Sequence, residues 1–164
     1  TRLPGQAAEV GVYRGGTARL IAEVLRGTDK RLHIFDTFEG MPETTPGKDF
    51  MSKGDFRDTS AEAVGAYVAP CGNVDLYQGF FPATAGPIRD MQFAFAYIDV
   101  DAYQSVLDCC EFFYPRLVPG GVLLLDDYGF ITTEGAQQAV DEFCARGHIP
   151  FVYLPTGQGL ILKS

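Results

Sequence analysis

FAFAYIDVDAYQSVLDCCEFFYPRLVPGGVLLLDD, residues 93–127, holds two unbroken apolar runs, Phe93–Ile98 and Val122–Leu125, each followed at once by aspartate. Between them Val106, Leu107, Cys110 and Phe113 recur with helical spacing over Tyr103–Tyr114, and Pro115 closes that helix because its ring cannot continue the ladder. Strands that are apolar on both faces and joined by a helix belong to a parallel sheet covered on both sides.

The alternation extends outward from this core. Upstream, Ala8–Tyr13 reads as a short buried strand, followed by a glycine turn at Gly15 and Gly16. A helix comes next, with Thr17 near its start, Leu20, Ile21, Val24 and Leu25 at helical period and Gly27 as its stop. Leu32–Phe35 is a second strand ending at Asp36, and Val74–Tyr77 a third, with Ser60–Val68 as a helix before it. Residues 37–57 carry three glycines, two prolines and mixed charges without periodicity, so they read as a long loop, the kind that is usually functional or mobile. Gly79–Ala85 reads as a turn. Downstream, a helix over residues 134–146 buries Ala136, Ala139, Val140 and Phe143 and ends at Gly147. Phe151–Leu154 and Leu160–Leu162 then form a hairpin across Pro155–Gly159, which adds one antiparallel strand. The expected fold is α/β, a doubly wound, Rossmann-like sheet in a single domain over residues 1–164.

Composition narrows the function. The 164 residues carry 21 acidic and 13 basic side chains, a formal charge of −8, and no basic run, which argues against a nucleic-acid partner held through phosphates. No apolar stretch approaches the roughly 20 residues that span a bilayer, and no signal segment opens the chain, so a cytoplasmic protein is expected. Cys71, Cys109, Cys110 and Cys144 lack C-x-x-C spacing and read as small buried hydrophobes rather than zinc or redox groups. His33 and His148 read as structural, which leaves a carboxylate, tyrosine or lysine as any base.

In doubly wound sheets ligands bind beyond the carboxyl ends of the strands, and polar groups stand at every such end here. The turn Glu9-Val-Gly-Val-Tyr-Arg-Gly-Gly16 suits a nucleotide-like ligand through glycine backbone and the N–H groups of the helix that follows. It is neither G-x-G-x-x-G nor a P-loop. Asp36, about 20 residues on, can accept ribose hydroxyls, and the two together favour an adenosine ligand. Asp99, Asp101, Asp126 and Asp127 place four carboxylates on two neighbouring strands. Such a group repels itself unless protons or a divalent cation intervene, and oxygen-only ligands point to Mg²⁺, with Mn²⁺ or Ca²⁺ as alternatives. The plainer reading is that one or two of them cap helices, as Asp101 would before Tyr103.

Glu9–Gly16, Ile34-Phe-Asp-Thr-Phe-Glu-Gly-Met-Pro42, Ile98-Asp-Val-Asp-Ala-Tyr-Gln-Ser105 and Leu125-Asp-Asp-Tyr-Gly129, taken together and in this order, resemble the macrocin O-methyltransferase family. The resemblance covers nearly the whole chain and implies a class I S-adenosylmethionine-dependent methyltransferase sheet of seven strands with the last antiparallel. The implied reaction is methyl transfer to a hydroxyl of a sugar or related natural-product acceptor. It further implies that Glu9, Tyr13 and the backbone around Gly11 and Gly15 hold the methionine part of S-adenosylmethionine, that Asp36 takes the ribose, and that Gly79 and Phe80 lie near the adenine. Mg²⁺ would be bound by Asp99, Asp126 and Asp127, with Asp101 as general base and the division of labour between Asp99 and Asp101 left open. The family carries N-terminal helices and lid segments, and little precedes Glu9 here, so the chain is expected to lack an N-terminal lid region or to rely on loop 37–57 and a neighbouring subunit.

Two other classes compete. Asp99-Val-Asp101 is also a D-x-D pattern of metal-dependent nucleotide-sugar glycosyltransferases, although the Glu9–Gly16 turn then has no explanation. A non-catalytic S-adenosylmethionine-binding module is the other, and retention of four mutually repelling carboxylates argues against it. Leu123–Asp127 mimics a Walker B strand, but no P-loop accompanies it. Phe80, Phe81 and Phe130, expected to be exposed, suit either an acceptor pocket or a contact within a homo-oligomer.

Overall fold

Five strands, β1 (Gln6–Val10), β2 (Leu32–Asp36), β3 (Val74–Gln78), β4 (Phe93–Ile98) and β5 (Leu117–Leu125), are followed by β6 (Phe151–Tyr153) and β7 (Gly159–Leu162). In the computed structural model, which describes residues 3–50 and 52–164, they form one sheet in the order β3-β2-β1-β4-β5-β7-β6. β7 runs antiparallel to both neighbours, so six strands are parallel and the last is reversed, as the hairpin reading predicts. Strand order reverses between β1 and β4, and that switch point fixes where a ligand cleft opens.

Helices α1 (Gly16–Val24) and α2 (Ala61–Val68) pack with Ala7, Leu32 and Ile34 on one face of the sheet. Helices α3 (Tyr103–Phe113) and α4 (Glu134–Gly147) cover the other, where Phe93, Ile98 and Leu123 meet Val106, Phe113, Val140 and Phe143. Ser60 Oγ accepts the Ala63 N–H and caps α2. No helix among the described residues is long and apolar enough to cross a membrane.

Three expectations shift. β1 ends at Val10 rather than Tyr13, because Gly11 and Tyr13 take left-handed backbone and the chain peels off the sheet. β5 starts at Leu117, five residues before the apolar run, because Leu117 pairs with Phe93 and prolongs the ladder. In α1 the buried face is Ala18 and Ala22, while Leu20 and Val24 are 66% and 73% exposed. The helical period is right, and Ile21 and Leu25 pack into the core beside Ala18 and Ala22, whereas Leu20 and Val24 fall on the exposed side.

Cys109, Cys110 and Cys144 are buried free thiols, in keeping with the sequence reading, whereas Cys71 is only half-buried and its thiol donates to Glu23 Oε1 at 3.7 Å. His33 is buried beside the Tyr77 hydroxyl, 3.2 Å from Nδ1, and burial pushes its pKa below the usual value. His148 is the left-handed residue that ends α4.

Candidate active site

At the switch point lies a cleft of about 380 Å³, lined by Gly11, Tyr13, Asp36, Gly79, Phe80, Asp99, Asp101 and Asp127 among others. It gathers residues from the ends of β1 to β5 and adds Gly40, Met41, Pro42 and Phe56 from the long loop and Thr132 and Thr133 from the segment before α4. Gly40, Met41 and Pro42 close the Ile34–Pro42 motif, Phe56 is signalled only by the length of loop 37–57, and Thr132 and Thr133 carry no motif.

One side of the cleft is built of backbone. Gly11 has φ +83, and a Cβ there would stand 1.7 Å from the Asp99 carbonyl oxygen, so only glycine lets the β1 turn press against the end of β4. Asp36 Oδ2 accepts the N–H groups of Val12 and Tyr13, each at 2.8 Å, and its Oδ1 accepts that of Phe38 at 2.8 Å. Asp36 therefore organises the turn as well as facing the cleft. Thr59 Oγ1 donates to the Tyr13 carbonyl and braces the left-handed Tyr13.

The other side is built of carboxyls. One oxygen each from Asp99, Asp101 and Asp127 lies within 4.8 Å of the others. Burial, then repulsion from Asp126 and Asp101, pushes Asp99 up to about 7. Burial, then Asp101 and Asp99, pushes Asp127 up to about 9, and burial raises Asp101 as well. Asp127 Oδ2 is buried without a hydrogen-bond partner, an arrangement that ordinarily costs about 1–3 kcal/mol and that a cation would relieve. Oxygen donors alone and this orphan atom fit a hard divalent ion.

Not every sequence candidate reaches the cleft wall. Asp126 turns aside and its Oδ1 accepts Gln158 Nε2 at 2.7 Å, so the converging set contains Asp101 where the resemblance implies Asp126. Asp126 nevertheless stays close enough to raise Asp99. Glu9 does not line the cleft: it is 1% exposed, its Oε2 lacks a partner, and burial and then Asp99 and Asp36 hold its pKa well above the usual carboxylate value. Gly15 sits before α1 and under Val64 of α2. Phe81, expected on the surface, is instead buried and stacked on Phe113 with ring centroids 5.3 Å apart, whereas Phe80 and Phe130 are exposed.

The sequence model of the Macrocin-O-methyltransferase (TylF) family matches residues 1–151. The chain is 30% identical over 158 residues to the 8-demethyl-8-(2,3-dimethoxy-alpha-L-rhamnosyl)-tetracenomycin-C 4'-O-methyltransferase of Streptomyces olivaceus, covering 88% of this chain and 59% of that protein. It is 30% identical over 161 residues to the demethyldecarbamoylnovobiocin O-methyltransferase of Streptomyces niveus, covering 88% of this chain and 60% of that one. The chain thus spans about three fifths of the length of these curated relatives. Among solved structures it shares the fold of the O-methyltransferase NovP, with a TM-score of 0.85 at 24% identity over 99% of this chain and 73% of NovP.

Proposed function

Because the chain belongs to the macrocin O-methyltransferase family, we propose that it transfers a methyl group from S-adenosylmethionine to a sugar hydroxyl of a natural-product acceptor in a metal-dependent reaction. The observation that carries this reading is the half-buried, mutually repelling set Asp99, Asp101 and Asp127 on one side of a cleft whose other side is glycine backbone and Asp36. The relatives' names, one a rhamnosyl 4'-O-methyltransferase, support the acceptor class.

Sugar hydroxyls are poor nucleophiles near neutral pH, and attack on a sulfonium methyl must be in line, so the protein has to position and deprotonate. Gly11 brings the turn backbone to the donor, Asp36 faces the ribose, and Gly79 and Phe80 border the adenine end. Asp99 and Asp127, which converge with Asp101, would hold a cation, and Asp126, whose Oδ1 accepts Gln158, would have to turn back towards them to complete the ligand set that the resemblance implies. When bound, a divalent ion supplies Lewis acidity that lowers the acceptor hydroxyl's pKa. Asp101, a member of the same cluster and of the cleft wall, takes the hydroxyl proton as the C–O bond forms and the C–S bond breaks.

The test is calorimetric titration of S-adenosylhomocysteine with and without Mg²⁺, followed by methyl transfer from labelled S-adenosylmethionine to a panel of rhamnosides. Cofactor binding with transfer that disappears in EDTA is the expected result. Cofactor binding with no transfer identifies a binding module, and binding of a uridine diphosphate sugar in place of S-adenosylhomocysteine identifies a glycosyltransferase.

A further inference from the structure

Asp49, in the middle of the long loop and without any motif to mark it, reaches the start of α3. Its Oδ1 accepts the Tyr103 N–H at 2.8 Å and its Oδ2 accepts the Thr45 N–H at 2.6 Å. The α3 cap position, Ala102, offers no side-chain acceptor, so a carboxylate 54 residues away in sequence does what a local aspartate usually does. The neighbouring Lys48 ammonium lies 3.2 Å from the centre of the Tyr103 ring and 3.5 Å from Glu142 of α4, and the Tyr103 hydroxyl donates to Glu142 at 2.6 Å. Gly135, at the start of α4, makes room: a Cβ there would stand 2.3 Å from Asp49 Oδ1 and 2.9 Å from the Lys48 carbonyl oxygen.

What this strap holds is the segment that presents Asp101. Asp101 has φ 54, and the Ala102 N–H closes a three-residue turn on the Val100 carbonyl at 2.5 Å. Aspartate is one of the few side chains that takes this conformation at all, and at some cost, so what holds the chain on either side decides whether the turn persists. Asp49 grips the chain two residues further on. We propose that Asp49 is a positioning residue, which ties loop 37–57 to α3 and thereby fixes the left-handed turn that aims the Asp101 carboxyl at the reacting hydroxyl. The role assigned to Asp101 rests on the proposed methyl transfer, whereas the tether itself does not.

Asp49→Ala and Asp49→Asn separate the two, since asparagine keeps an oxygen that can accept the Tyr103 N–H. In the alanine variant, amide hydrogen exchange at Ala102 and Tyr103 and tryptic cleavage after Lys48 and Lys53 are expected to speed up about tenfold or more. Turnover is expected to fall about 10- to 100-fold with the KM for S-adenosylmethionine within about threefold, and Asp49→Asn to recover most of both effects. Unchanged exchange at Tyr103 in Asp49→Ala overturns the tether, and faster exchange with unchanged kcat overturns its positioning role. If the parent chain methylates no rhamnoside, the methyltransferase reading fails, and the tether is then judged by exchange over Val100–Tyr103 alone: acceleration supports it and no change rejects it.

Discussion

On the β1–β2 side of the cleft Asp36 places its two oxygens against three backbone N–H groups, whereas on the β4–β5 side Asp127 leaves one buried oxygen with no partner at all. Both are aspartates at strand ends in one sheet. Backbone donors surround the first, because the chain turns sharply around it at Gly11 and Tyr13; other carboxyls surround the second. The β1–β2 side is thus satisfied around Asp36 by its own backbone, and the β4–β5 side is satisfied only with protons or a cation. Removing a group from each side should fail differently.

The largest effect is expected from Asp127→Ala, which takes away the orphan oxygen. Metal-stimulated methyl transfer should drop by about 1,000-fold or more while S-adenosylhomocysteine affinity stays within about tenfold. Kinetics with a Mg²⁺ series and calorimetry read the two separately, and equal losses in both would erase the distinction between the sides. Gly11→Ala breaks both at once, since its Cβ would strike the Asp99 carbonyl. A stability loss of about 3 kcal/mol or more in urea unfolding is expected, with cofactor and Mg²⁺ binding weakened together.

A smaller effect follows from charge. Unfolded aspartates titrate near about 4, while Asp99 and Asp127 are held near 7 and 9. Between those values the folded chain keeps protons that the unfolded chain has released. The stability that protonation lends the folded cluster is therefore full below about pH 4 and lost as pH rises through the folded values, with a slope of at most about 1.4 kcal/mol per pH unit for each retained proton. Thermal unfolding in EDTA should show the parent losing more stability between pH 5 and pH 8 than Asp127→Asn does. Mg²⁺ should restore the parent at pH 8 and change little at pH 5. A parent and variant with the same pH slope would show that the cluster does not store protons.

The sequence carries the first side of this comparison less completely than the second. Unbroken apolar runs such as Phe93–Ile98 and Val122–Leu125 locate the parallel strands, and the aspartates behind them locate the carboxyl cluster, because strand order and strand ends are properties of consecutive residues. Which side of α1 faces the sheet depends on how closely the helix approaches, and hydrophobicity alone puts Leu20 and Val24 inside when Ala18 and Ala22 are there. Asp49 is invisible for a similar reason: its partner Tyr103 lies 54 positions away, and no spacing rule connects them. Asp126 and Asp127 adjoin in sequence, yet Gln158, on the turn leading into β7, draws one aside.

The smallest change is expected at Glu9, where the two sides meet. Its side chain is 1% exposed, between the Asp36 and Asp99 charges, and burial holds its pKa well above the ordinary carboxylate range. Burial favours the neutral form of such a group, because ionising it would add a like charge beside Asp99 and Asp36 in a place that water does not reach. Glutamine has the same shape and no charge, the form that burial favours, so Glu9→Gln should leave S-adenosylhomocysteine affinity within about threefold at pH 7. A loss of about tenfold or more, measured by calorimetry, would mean that Glu9 is ionised in the complex. The methionine ammonium of the donor would then supply the compensating charge, and the β1 side would need its ligand as much as the β4 side needs its ion.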